Sequence, residues 1–214
     1  PVEKSIQIIS SVISDALEGM DPTDQRAVDT TLIEMDGTKN KENLGGNTIL
    51  SISLGVARLG AEVKERELFE HVSELYGKRI EKNPELKFPT PVFNILNGGK
   101  HAHNNLSFQE FMIIPAPNRH FLHQMEMGVN VYIKLKDELL RGNFSTGVGD
   151  EGGFAPEGFT ARKALDFIRK AAGSMYKVGE EVFLGMDVAA ESFVEQKKYK
   201  ISEEDLEMDV SQFT

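Results

Sequence analysis

Three carboxylates and one histidine pair stand where this chain could do chemistry. Glu110 follows Gln109 inside an apolar run, Phe108 to Ile114. Phe108, Phe111, Met112, Ile113 and Ile114 supply side chains to both faces of that segment. A carboxylate among them is desolvated, and an unpaired buried charge is costly. A raised carboxyl pKa, a nearby metal or a cationic partner relieves the cost, and each is typical of a catalytic site. The plainer reading is an edge strand with one solvated face. Gly149-Asp150-Glu151-Gly152-Gly153 places two acids between glycines. As a plain turn it needs no further explanation, since Asp and Gly favour turns. As a functional loop, its glycines let backbone and substrate approach closely, and Glu151 and Glu110 form a pair able to share proton-transfer work. Asp187 ends a third apolar run and is a candidate ligand for a hard cation such as magnesium. It also fits a simple strand-ending turn. His101-Ala102-His103 follows the Asn97-Gly98-Gly99 turn and has the look of a zinc pair. Such a site recruits further histidines. Those remaining, His71, His120 and His123, read as surface residues.

These residues need a scaffold, and the apolar periodicity changes along the chain. Residues 1–80 read as helices. Ile6, Ile9, Ile13 and Leu17 recur at helical spacing, with Gly19 as the stop. Asp21-Pro22 reads as an N-cap followed by proline in the first turn. Val28, Leu32 and Met35 mark a second helix ended by Asp36-Gly37. Leu68, Val72, Leu75 and Tyr76 mark another ended by Gly77. Between them, Leu50, Ile52, Leu54 and Val56 alternate like a strand, while Ile49, Ile52, Val56 and Leu59 fit a helix. The small residues Ser51, Ser53, Gly55 and Ala57 favour a closely packed helix. Residues 81–91, with Pro84, Pro89 and Pro91, have linker composition.

Residues 81–214 then read strand, strand, helix, helix, strand. The strands are Val92–Leu96, Phe108–Ile114 and Val182–Met186, and the helices are marked by Phe121 to Leu139 and by residues 160–173. The order implies an α/β class, a layered sheet or part of a barrel. Three strands do not close a barrel of eight. In a parallel barrel the carboxyl ends of the strands carry the site.

Composition narrows the function classes. The 214 residues are 40% hydrophobic and 27% charged, with a net charge of -10 and no cysteine. Disulfides and thiolate sites are excluded, and the chain fits a reducing, cytoplasmic setting. The negative surface argues against nucleic acid as a partner. No run is long and apolar enough to span a membrane, and the N-terminus lacks the order of a signal peptide.

Five ordered motifs resemble the enolase family: Met35 to Lys41 with Leu44 to Ser51; Asn94 to Ala102; Phe108 to Met112; Val148 to Pro156; and Gly185 to Ala190. The resemblance spans residues 35–190. It implies the helical part of an enolase N-terminal domain over 1–80 and the opening of the C-terminal barrel over 81–214. The activity implied is magnesium-dependent interconversion of 2-phosphoglycerate and phosphoenolpyruvate, usually by a homodimer or higher homo-oligomer. Carried over residue by residue, Glu151 assists hydroxide loss, Glu110 supports it, Asp187 ligates the first Mg2+, and His101 and Gln109 line the substrate site. The resemblance also places the serine-bearing metal loop before Pro1. The proton-abstracting lysine and two further metal acids are expected after Thr214, so the chain alone is expected to give no turnover. His103 stands where the family has glycine, Gly46 where alanine is usual, and Glu191-Ser192 reverses the usual order. Those departures keep two alternatives open: an enolase-like protein acting on another carboxylate substrate, and a non-catalytic module that needs a partner chain.

Overall fold

The computed structural model describes residues 2–82 and 85–213; Pro84 of the proline-rich segment lies outside them. The chain divides into two compact units, Pro1–Lys87 and Phe88–Thr214.

The first unit is helical. α1 (Val2–Ile8), a π-helical turn (Ile9–Ile13) and α2 (Ser14–Leu17) follow without a break. The π-turn inserts an extra residue and shifts the apolar stripe across it. Ile13 is buried and Ile9 and Leu17 pack on it, whereas Ile6 of the same stripe is exposed. α3 (Gln25–Asp36) starts three residues later than Asp21-Pro22 suggests. Asp21 instead accepts the Thr23 N–H at 2.8 Å in a turn over Pro22. Asp24 is the N-cap, its Oδ1 accepting the Ala27 N–H at 3.1 Å. Gly37 ends the helix in the left-handed region, at φ 66. Asp36 is buried and holds the following loop: its Oδ2 accepts the Leu44 N–H at 2.8 Å, and its Oδ1 accepts the Thr38 N–H at 3.0 Å.

The ambiguous segment is helical, α4 (Gly46–Val63). Ile49, Ile52 and Val56 face Ile13, Val28, Leu32 and Leu44, while Leu50, Leu54 and Leu59 are exposed. Helical periodicity wins because it collects the first three on one face. Close approach also matters. Gln25 donates to the Ser53 carbonyl at 3.0 Å, and a Cβ on Gly60 would press on the Pro22 carbonyl and on His71 Nε2. α5 (Leu68–Ile80) runs through Gly77 instead of stopping there, and ends at Glu81. Gly77 is a buried position inside the helix, not a terminator. His71 of α5 is fully buried, not a surface residue, and neither ring nitrogen has a hydrogen-bond partner.

The second unit is built on an open sheet of β1 (Phe93–Asn97), β2 (Glu110–Pro115) and β3 (Val182–Asp187), in the order β1-β2-β3. Both pairings are antiparallel. The strand-strand-helix-helix-strand order holds, with α6 (Phe121–Arg141) and α7 (Ala161–Gly173) between β2 and β3. No closed barrel is present among the described residues. Phe111 and Ile113 of β2 meet Met127, Val131 and Leu135 of α6, and Ala164 and Ile168 of α7, in one fully buried cluster. Burying a side chain such as Phe111 contributes about 2–3 kcal/mol. Phe108 and Gln109 precede β2 instead of lying in it. Phe108 stacks on Phe193, ring centroids 5.7 Å apart.

Beyond β3 the chain forms a small meander that the apolar pattern does not announce: β4 (Val194–Glu195), β5 (Lys198–Ile201) and β6 (Leu206–Asp209). It is tied to the loop before β2. Ser107 donates to Glu203 from its N–H at 3.0 Å and from its Oγ at 2.5 Å.

Candidate functional site

The antiparallel pairing of β2 builds the site. A parallel neighbour would bring carboxyl ends together. Here the start of β2 lies beside the ends of β1 and β3, so Glu110 is opposite both Asn97 and Asp187. A parallel reading of strand ends would have placed Glu110 at the far side of the sheet.

A second loop crosses this edge. Residues 148 to 154 fold back on β1: the Asn97 N–H donates to the Phe154 carbonyl at 2.9 Å, and the Phe154 N–H to the Ile95 carbonyl at 3.0 Å. Within the loop the Gly149 N–H donates to the Gly153 carbonyl at 2.8 Å. The Asp150 N–H donates to the His101 carbonyl at 3.0 Å, which joins the loop to the Gly98–His101 turn. From α6, the Tyr132 hydroxyl donates to the Gly152 carbonyl at 2.8 Å. Glycine is needed here for a physical reason. Gly152 sits at φ 85, and a Cβ on Gly149 or Gly153 would run into the His101 carbonyl or the Asn97 amide.

The result brings three sequence-identified side chains together. His101 Nδ1 lies 3.3 Å from Glu151 Oε1 and 3.8 Å from Glu110 Oε1. Asn94 Nδ2 donates to the other Glu151 oxygen, Oε2, at 2.9 Å. Burial pushes the Glu110 carboxyl up, reinforced by Glu151 and then Asp187. The Asn94 amide holds the Glu151 carboxyl below the usual range. Of the two, Glu110 is thus the more readily protonated and Glu151 the more readily ionised. Carboxyls pushed apart in this way can divide acid and base roles.

Asp187 is exposed at the end of β3, and its Oδ1 accepts the Ala189 N–H at 3.0 Å. It adjoins the cluster through Glu110 but is not one of the three converging donors. Gln109 lies next to Glu110, and its carbonyl accepts the Gly98 N–H at 2.9 Å. His103 does not join His101 in a zinc pair. It is exposed and lines a separate open cavity with Asn104, Asn105, Glu157 and Gly158.

Two residues of the site escape a reading by residue type alone. Asn94 is a polar side chain between Phe93 and Ile95, and that interruption of an apolar strand was the available signal. Asn97 is fully buried under the Gly149–Gly153 loop, with neither amide atom hydrogen-bonded.

No described helix is long and apolar enough to cross a membrane. Two family models match the chain. One, described as the enolase N-terminal domain, covers residues 1–72. The other, described as the enolase C-terminal TIM barrel domain, covers residues 85–214, more than half of the chain. The chain therefore belongs to the enolase family.

Proposed function

We propose that this chain carries the leaving-group side of a phosphopyruvate hydratase, which dehydrates 2-phosphoglycerate to phosphoenolpyruvate. The observation that supports it best is the Glu110–Glu151 pair, with one carboxyl pushed up, the other pulled down, and His101 beside both. In this reading Glu151 faces the departing oxygen. As the carbon–oxygen bond breaks, a proton from the pair passes to that oxygen and water leaves. Glu110 holds the proton in reserve and returns it to Glu151 through their mutual contact. His101 and Gln109 line the substrate, and Asn94 orients Glu151.

Magnesium, when bound, supplies positive charge that offsets the developing dianion. Such an ion would be held by hard oxygen donors. Asp187 fits as one such ligand, being a hard oxygen donor on an exposed strand end next to Glu110. Neither a proton-abstracting lysine nor further metal acids are assigned among residues 1–214.

The test is phosphoenolpyruvate formation from 2-phosphoglycerate and magnesium in the protein that carries this segment. Glu151→Gln is expected to lower kcat by about 10²-fold or more, as for loss of a general acid. Exposed Glu126→Gln is expected to leave it unchanged. An unaffected Glu151→Gln enzyme would overturn the assignment. The 214-residue chain alone is expected to be inactive, and turnover by it would place the abstracting base within these residues.

A further inference from the structure

We propose that Glu203, between β5 and β6 of the meander, is a positioning residue for His101 and acts through Ser107. Its effect on turnover rests on the dehydratase reading; its effect on the His101 ring does not. Glu203 Oε2 accepts two hydrogen bonds from Ser107, one from the backbone N–H at 3.0 Å and one from Oγ at 2.5 Å. The same hydroxyl accepts the Ser202 N–H at 3.0 Å, joining segments 95 positions apart. Ser107 is buried, and Glu203 Oε1 is closed to solvent without a hydrogen-bond partner. A glutamate on an outer loop ordinarily keeps its carboxylate in water. Turning this one inward is costly unless hydrogen bonds offset the cost, and those to a charged acceptor are the strong ones.

From Ser107 the linkage to the site runs through backbone. The Leu106 carbonyl accepts the Gly99 N–H at 2.7 Å, and the Gln109 carbonyl accepts the Gly98 N–H at 2.9 Å. Ser107 lies between these two acceptors. Gly98 is pressed against the same segment, since a Cβ there would run into the Phe108 carbonyl and the Leu106 side chain. The turn held in this way ends in His101. Its carbonyl accepts the Asp150 N–H at 3.0 Å, and its Nδ1 lies 3.3 Å from Glu151 Oε1. Asn104 holds the near side of the segment, its Nδ2 donating to the Asn97 carbonyl at 3.0 Å. Glu203 holds the far side, and its removal takes the acceptor from a buried backbone N–H.

The test uses the full protein that carries this segment. NMR follows the ring signals of His101, assigned by their loss in His101→Gln, and kinetics are measured on 2-phosphoglycerate. Glu203→Ala and Ser107→Ala are each expected to move the His101 signals and leave those of His71, in the helical unit, in place. Because His101 lines the substrate in the dehydratase reading, KM is expected to rise about tenfold, the scale of one hydrogen bond to a charged group. Partial unfolding alone would lower kcat and leave KM unchanged. Glu203→Gln keeps an acceptor oxygen and is expected to restore most of the wild-type KM. The double variant is expected to be no worse than either single one, because both remove the same linkage. Ser107→Ala carries the test should Glu203→Ala fail to fold. Unmoved His101 signals in the variant that folds, additive losses in the double variant, or an equal effect from exposed Glu204→Ala would overturn the proposal. Moved signals in a protein that never dehydrates 2-phosphoglycerate would leave the positioning role standing and remove the dehydratase reading.

Discussion

Glu110, the first residue of β2, lies directly opposite Asp187, the last residue of β3. This register puts a half-buried carboxylate and an exposed one at the same sheet edge, although 77 positions separate them in sequence. It makes Asp187 one of the charges that raise the Glu110 carboxyl, after burial and Glu151.

The first prediction concerns pH. Glu110 keeps its proton above the ordinary carboxyl range, so the proton-donating form of the pair persists at low pH and is lost as pH rises through the raised value. Dehydration should therefore show an alkaline limb. Glutamine cannot give up a proton, so Glu110→Gln should lower kcat at every pH and leave no such limb in the remaining activity of the protein carrying this segment. An unchanged limb would assign it to another group.

Asn94→Leu should act through Glu151. Removing the 2.9 Å hydrogen bond takes away the main influence that lowers the Glu151 carboxyl, which should then rise. Because the bond is solvent-exposed, the loss of kcat should be modest, about tenfold at most. The pH–rate profile should shift upward on its acid side. A profile that keeps its wild-type position would remove Asn94 from the site.

Gly149→Ala tests the loop. The new methyl group would meet the His101 carbonyl, which is backbone and cannot swing aside. Overpacking of this kind costs about 1–3 kcal/mol. Because the same loop carries Glu151, activity should fall even at temperatures where thermal melting shows the variant folded.

Gly46→Ala should go the other way. Gly46 is the first residue of α4, its φ is not in the left-handed region, and a Cβ there meets nothing within 4 Å. Alanine restricts the unfolded chain at no packing cost, worth about 0.4–1 kcal/mol. Chemical denaturation should show a higher midpoint with an unchanged slope; a lower midpoint would mean that the glycine is needed.

His71 links stability of the helical unit to pH. Burial holds its imidazole below the ordinary 6.5, assisted by Lys64, Lys78 and Arg66 and opposed by Glu74. The unfolded chain therefore takes up the proton first. Stability should be level above that value and fall as pH drops through 6.5 toward the folded value. His71→Gln should flatten this slope in denaturant titrations from pH 7.5 to 5.5, and an equally steep decline would assign the effect elsewhere.

By itself, the sequence determined the main helices and the three strands of the larger sheet, and their order, but not the meander over 194–209. Ile49, Ile52 and Val56 share a face only if 46–63 is helical, and Phe111 and Ile113 share one only in a strand. It also singled out Glu110 and Glu151, because a carboxylate inside an apolar run or between glycines is unusual whatever the fold. Periodicity is local, however, and says nothing about which strands pair or in which direction. The antiparallel run of β2 is a long-range choice, and it alone decides that Glu110 adjoins Asp187 and Asn97. Burial of His71 and the Asn94–Glu151 bond arise the same way, from packing between segments distant in sequence. Even Gly77, a stop signal by residue type, lies buried within a helix. The carboxylate pair was thus present in the residue types, while tertiary structure set which of the two is pushed up and which pulled down, through unequal burial and a single amide.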